Sequence, residues 1–220
     1  MAIFKNTEII NGLKSAYKDP KTELENWRTP FEFIVCVILS AQATDKGVNK
    51  ITTQLFEKYK NIECFANAKQ EDLEKSVSSI NFYKMKTRRI IDAANFILKE
   101  FNGVFPDQIN ELIKIPGIGR KSANVFINEV LKIKPQGIVV DTHVTRLGYR
   151  LGLTTYEDQK DAEKIESELQ KFIDEKDWAY FSSAAVLFGR YICKAKKPLC
   201  SECTFKDKCP TASKFLKPII

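Results

Sequence analysis

The stretch Glu111-Leu-Ile-Lys-Ile-Pro-Gly-Ile-Gly-Arg-Lys-Ser-Ala-Asn124 decides the fold. It begins in a short helical pattern, is broken by Pro116 and Gly117, and resumes helix after Gly119, so it predicts two helices joined by a tight hairpin. Glycines at 117 and 119 let backbone N–H groups approach a ligand closely, and the N-terminus of the second helix adds partial positive charge. Such a turn can hold a phosphate oxygen. With no base-reading side chain, the contact would be independent of sequence. An ordinary turn between two helices fits Pro-Gly-x-Gly equally well.

In the helix that follows, Ala123, Phe126, Ile127, Val130 and Leu131 recur at i, i+3, i+4, i+7 and i+8 and form one apolar stripe. Lys121 lies on the opposite face, with Asn128 near it, and therefore faces solvent or a cleft. On pattern alone this is a solvated charge. Its place just past a phosphate-sized turn makes it a candidate for chemistry.

Working outward, the same periodicity dominates the chain. Pro30 to Leu39 is apolar all round, as in a helix enclosed by others, and Pro30 suits a first turn. Thr44 and Asp45 are caps for a helix with Val48, Ile51, Leu55, Phe56 and Tyr59 inward. Ile90, Ala94, Ile97 and Phe101 repeat the spacing, as do Ile165, Leu169, Phe172 and Ile173. Beyond the brief run Gly137 to Val140 no strand pattern stands out, so the chain is expected to be all-α. Neither an internal repeat nor a long Gly/Ser linker divides it.

Asp141, between that brief run and a helix bearing Val144, Leu147 and Leu151, is a natural N-cap. Capping keeps a carboxylate ionised, which is also the state that would stabilise a cationic sugar. His143, one turn further, reads as a helix-terminus hydrogen-bonding residue rather than a catalyst.

Composition narrows the function. The 220 residues carry a formal charge of +7, which favours a polyanionic partner: nucleic acid first, an acidic membrane second. A single histidine excludes metal centres that need several imidazoles. The N-terminus lacks a secretory pattern, and no run reaches the roughly 18 apolar residues of a membrane span, so a soluble, cytoplasmic protein is expected.

Of six cysteines, four fall within 17 residues as Cys193-x6-Cys200-x2-Cys203-x5-Cys209. In a reducing compartment that clustering points to metal ligands. The spacing fits zinc and a [4Fe-4S] centre about equally. Cys36 and Cys64 read as core filling. Residues 190–214 carry seven basic side chains (Arg190, Lys194, Lys196, Lys197, Lys206, Lys208, Lys214) against Glu202 and Asp207. Lys194, Lys196 and Lys197 stand between the first two cysteines, so the centre would present cations to phosphates. Lys84, Lys86, Arg88 and Arg89 form a second basic run, and together they suggest an extended phosphate track.

Four ordered motifs then carry a resemblance: Leu39-Ser-Ala-Gln-Ala-Thr-Asp45, Ile115-Pro-Gly-Ile-Gly-Arg-Lys-Ser-Ala-Asn124, Val140-Asp-Thr-His-Val144 and the cysteine set. From about Trp27 to Pro210 the chain resembles the endonuclease III family of helix-hairpin-helix DNA glycosylases and abasic-site lyases. The resemblance implies a two-domain all-α fold. A six-helix barrel at 24–135 would carry the hairpin at about 111–124; residues 1–23 and 136–220 would form an iron-sulfur cluster domain, with a DNA-binding cleft between the two.

It also implies roles. Lys121 matches the nucleophilic lysine and Asp141 the catalytic aspartate, while Cys193, Cys200, Cys203 and Cys209 match the [4Fe-4S] ligands. Gln42 matches a glutamine that fills the gap left by a flipped nucleotide, and Phe82 stands where an apolar wedge, commonly leucine, is expected. Lys84, Gly117, Gly119, Arg120, Lys194, Lys196 and Lys197 would contact DNA. The implied activity is excision of oxidised pyrimidines and β-elimination at the abasic site through a lysine Schiff base, by a monomer acting on duplex DNA, cytoplasmic and, in a prokaryote, nucleoid-associated. Three other readings remain: a mismatch glycosylase without lyase chemistry, a noncatalytic DNA-binding or redox-sensing protein, and a zinc-stabilised RNA-binding protein.

Overall fold

The computed structural model describes residues 3–216, and among them every regular element is helical. The described chain divides into two compact units, one spanning Thr22–Gln136 and the other joining the residues up to Lys21 with those from Gly137 onward.

The first unit holds α2 (Pro30–Ser40), α3 (Asp45–Lys58), α4 (Ile62–Ala66), α5 (Gln70–Val77), α6 (Tyr83–Phe101), α7 (Ile109–Leu112) and α8 (Arg120–Phe126). Its centre is α2, in which every residue from Phe31 to Leu39 is buried, as the all-round apolar pattern predicts. Pro30 occupies the first turn. Thr29 accepts the Glu32 N–H at 3.2 Å while the Glu32 carboxylate accepts the Thr29 N–H at 3.0 Å, a closed capping box. Thr44 caps α3 through Gly47, again as expected. Around α2 pack α3, α6 and α8, with α4 and α5 laid on α6.

The second unit contains α1 (Asn6–Ala16), α9 (Thr142–Leu151), α10 (Ala162–Phe172) and α11 (Trp178–Tyr191). Its core of Ile9, Leu13, Val144, Leu147, Ile165, Leu169, Phe181 and Phe188 is separate from the α2 core. Phe205, just past the third cysteine of the cluster, packs edge-on against Phe4 and tilted against Phe188. It also sits over Gly12 so closely that a β-carbon there would come within 2.3 Å of the ring. The cysteine-rich segment is thus pinned to α1, which explains how residues far apart in sequence share one unit.

Two expectations need correction. Residues 127–131 continue α8 not as α-helix but as a π-turn, closed by the Lys132 N–H on the Ile127 carbonyl at 2.8 Å. Val130 and Leu131 still pack against the α2 core, but in this wider turn both are only half-buried. The run Gly137 to Val140 forms no strand among the described residues: Ile138 N–H donates to Glu166 Oε1 and Val139 N–H to Ser182 Oγ. Side chains from α10 and α11 thereby satisfy the backbone of a buried connection.

Candidate functional site

In the α2-centred unit, Leu112, Ile115 and Ile118 are buried and anchor the hairpin from inside. Gly117 adopts φ +86°, and a β-carbon there would lie 3.2 Å from Ile38 and 3.4 Å from the Arg89 β-carbon. Only glycine meets both demands. Gly119, the N-cap of α8, has open space where its β-carbon would be, and no side chain caps the helix start. The start of α8, with the partial positive charge of a helix N-terminus, lies beside that space. Lys121 is exposed beside it, and Arg120 is half-buried.

The close contacts of Gly117 bring three segments to one edge of this unit: the hairpin, the C-terminal end of α2 and the first half of α6. From the α2 end springs the turn with Gln42, exposed at φ +54°. Before α6 stands Phe82, its N-cap, 59% exposed at φ +58°. A phenylalanine that is both solvent-facing and left-handed is costly twice over, the pattern expected at a functional protrusion. Met85, 48% exposed one turn later, extends the same apolar tip, and no motif in the sequence marks it. Lys84, Arg88 and Arg89 are exposed, with Arg88 3.9 Å from Asp92.

Lys86 departs from the expected basic run. It is 1% exposed, and its Nζ donates to the Leu39 carbonyl at 2.8 Å. Burial lowers its pKa. The periodicity does carry the signal: Lys86 lies four residues before Ile90 and seven before Ala93, on the inward face of α6. Cys64, expected in the core, is exposed on α4, whereas Cys36 is buried with its thiol pushed up to about 12.

In the other unit, Asp141 caps α9 as predicted, Oδ1 accepting from the N–H groups of His143 and Val144 at 2.8 and 2.9 Å. Oδ2 accepts no hydrogen bond among the described residues, so the carboxylate is held in place with one oxygen available. His143 Nδ1 accepts from Arg146 at 3.2 Å.

Cys193, Cys200, Cys203 and Cys209 line one pocket whose walls are mostly apolar, among them Leu147, Leu151, Phe188, Ile192 and Leu199. Arg150 donates to Cys193 Sγ at 3.5 Å and to the Lys194 and Ala195 carbonyls at 2.8 and 3.1 Å. The Phe205 N–H points at Cys203 Sγ at 3.4 Å. Burial pushes the Cys203 thiol up to about 11 and raises Cys200 as well. Among the described residues, no three His, Cys, Asp or Glu side chains form a compact set for a single metal ion. Four thiols around an apolar pocket, with N–H donors aimed at sulfur, are a donor set suited to an iron-sulfur cluster. Lys194, Lys196 and Lys197 are exposed on the loop between the first two cysteines. Lys208, in contrast, is ion-paired with Glu8, so it adds less to a basic face than its formal charge suggests.

A helical hairpin with an open, uncapped N-terminus beside an exposed lysine defines a class, and residues 35–175 match the HhH-GPD superfamily of base excision DNA repair proteins. Endonuclease III of Synechocystis sp. is 40% identical over 206 residues, 94% of this chain and 92% of that protein. A non-covalent endonuclease III-DNA complex superposes with a TM-score of 0.88 at 35% identity, covering 96% of this chain and 98% of the other. A trapped endonuclease III-DNA covalent intermediate gives 0.87 at 36% identity, covering 94% and 95%. The chain belongs to the endonuclease III family.

Proposed function

We propose that this protein is a base excision repair enzyme that removes oxidised pyrimidines from duplex DNA and cleaves the resulting abasic site. The observation that carries this reading is the gathering of the glycine hairpin, the Gln42 turn and the Phe82 tip on one edge of the α2-centred unit, with Lys121 exposed beside the open helix start.

In this reading the hairpin N–H groups hold a backbone phosphate, while Lys84, Arg120, Lys194, Lys196 and Lys197 add cations, so binding is independent of sequence. Phe82 wedges into the stack and Gln42 fills the gap left by the extruded nucleotide. The Lys121 amine attacks sugar C1′. The C1′–N bond breaks, and the base leaves with the bonding pair and takes up a proton. The ring then opens to a Schiff base between Lys121 and C1′. Loss of a proton from C2′ expels the 3′ phosphate by β-elimination, and water releases the lysine. Asp141, with Oδ2 available, stabilises positive charge at the sugar and relays protons.

The unit spanning Thr22–Gln136 would be the glycosylase barrel, and the other unit the cluster domain. Cys193, Cys200, Cys203 and Cys209 would hold a [4Fe-4S] cluster whose role is to brace the lysine-bearing loop. No helix among the described residues is long and apolar enough to cross a membrane. We assign the protein to the cytoplasm, associated with the nucleoid if the cell is prokaryotic, acting as a monomer.

Borohydride reduction during reaction with a damaged duplex tests the chemistry. Wild-type protein is expected to give a covalent protein-DNA adduct and Lys121→Ala none. Absence of the adduct with wild type, or equal trapping by the variant, would overturn the reading.

A further inference from the structure

Lys86 hydrogen-bonds to both segments assigned to enter the duplex. Its backbone N–H donates to the Phe82 carbonyl at 3.1 Å, and its side chain reaches the Leu39 carbonyl, three residues before Gln42. Leu39 lies in the last turn of α2, where carbonyls have no partner within the helix and the dipole leaves negative charge. No basic residue of α2 itself stands in its last turn, and α6 supplies an ammonium there through Lys86. Ser40 Oγ on the Val37 carbonyl and Ala43 N–H on the Ser40 carbonyl complete the exit into the Gln42 turn.

Burying an ammonium costs more than burying a thioether of the same length, so stability alone does not favour lysine here. What the lysine achieves is geometric. Gln42 and Phe82 are both non-glycine residues in left-handed backbone, a state that persists only where the surroundings hold it.

We propose that Lys86 is a positioning residue for base extrusion: by tying the C-terminus of α2 to the first turn of α6, it fixes the spacing and the strained backbone of Gln42 and Phe82. The proposal rests on the reading of Gln42 and Phe82 as the inserting pair. Lys86 does not touch DNA in this account; it acts through the two residues that do.

The test uses full-length protein and a duplex with one thymine glycol and 2-aminopurine opposite it, whose fluorescence reports unstacking. The active fraction is counted by borohydride trapping. Lys86→Met is expected to lower kcat for base excision about tenfold, with KM within about threefold, and to halve the 2-aminopurine signal, while Lys86→Arg recovers most of both. A variant that loses thermal stability but keeps wild-type kcat per active molecule would reduce Lys86 to a packing role and overturn the proposal. Gln42→Ala and Phe82→Ala run in parallel. If they slow excision and Lys86→Met does not, the proposal fails alone; if neither slows it, the inserting-pair reading fails. Should Lys86→Met not fold, Lys86→Gln, which keeps a donor at shorter reach, takes its place: a loss of about threefold or more supports the proposal and wild-type values overturn it.

Discussion

Gly189 of α11 lies directly against His143 of α9: a β-carbon on the glycine would come within 2.8 Å of both the His143 β-carbon and its carbonyl oxygen. The two helices meet at the first turn of α9, the turn whose N–H groups hold the Asp141 carboxylate. The position of the proposed catalytic aspartate therefore depends on a missing methyl group on another helix. Gly189→Ala is expected to cost about 1–3 kcal/mol by overpacking. Calorimetry should show a lowered Tm, and excision should slow further than the loss of folded protein explains.

Asp141 has a structural and a proposed chemical role, and two substitutions separate them. Asparagine caps helices about as well as aspartate, so Asp141→Asn should leave Tm near the wild-type value while abolishing most base excision. Alanine removes the cap as well and should cost a further ~1 kcal/mol. Thermal unfolding paired with single-turnover excision checks both. A fully active Asp141→Asn protein would confine the residue to capping.

Arg150 reaches two carbonyls on the loop that carries Lys194, Lys196 and Lys197, and stacks on Phe215 at 4.8 Å. Arg150→Met should loosen that loop without removing a loop cation. Duplex affinity is expected to fall at fixed salt with little change in the slope of log K against log salt. Replacing the three lysines by alanine should instead lower the slope by up to about 3, near one for each phosphate left without its cation. Salt-dependent binding isotherms distinguish the two cases.

Burial lowers the pKa of Lys86. Between its native value and the ordinary lysine value, the unfolded chain holds a proton that the native chain has released, so this residue makes stability rise with pH across that alkaline window and contributes a constant penalty below it. Urea unfolding at a series of alkaline pH values should show a rise in wild type, relative to Lys86→Met, that the variant lacks.

How much of the fold and site is legible in the sequence differs from element to element. The enclosed α2, the Thr44 cap and the Asp141 cap follow from apolar spacing and from the hydrogen-bonding reach of a short side chain, both local properties, and all three stand in the structure. The hairpin is legible because Pro116 and Gly117 break any helix and Gly117 alone accepts φ +86°. Lys86 reads wrongly as a surface cation, although it shares the inward face of Ile90, because in a run of four basic residues charge outweighs position. Its partner, the Leu39 carbonyl, is 47 residues away. Cys64 misleads for the converse reason: cysteine is usually buried, but a short helix on the rim of the unit leaves it exposed.

The sequence by itself therefore determined the helices with clear apolar spacing, the Thr44 and Asp141 caps, the hairpin and the four-cysteine set, because each is written in neighbours within a turn or two of chain. Only the tertiary structure decided which basic side chains stay exposed and which one, Lys86, is buried. It also decided where Gly117 and Gly189 admit no side chain, and how the Phe205 ring joins the cysteine segment to α1. Those outcomes depend on contacts between residues tens to hundreds of positions apart, whose distances are set by packing rather than by local conformational preference.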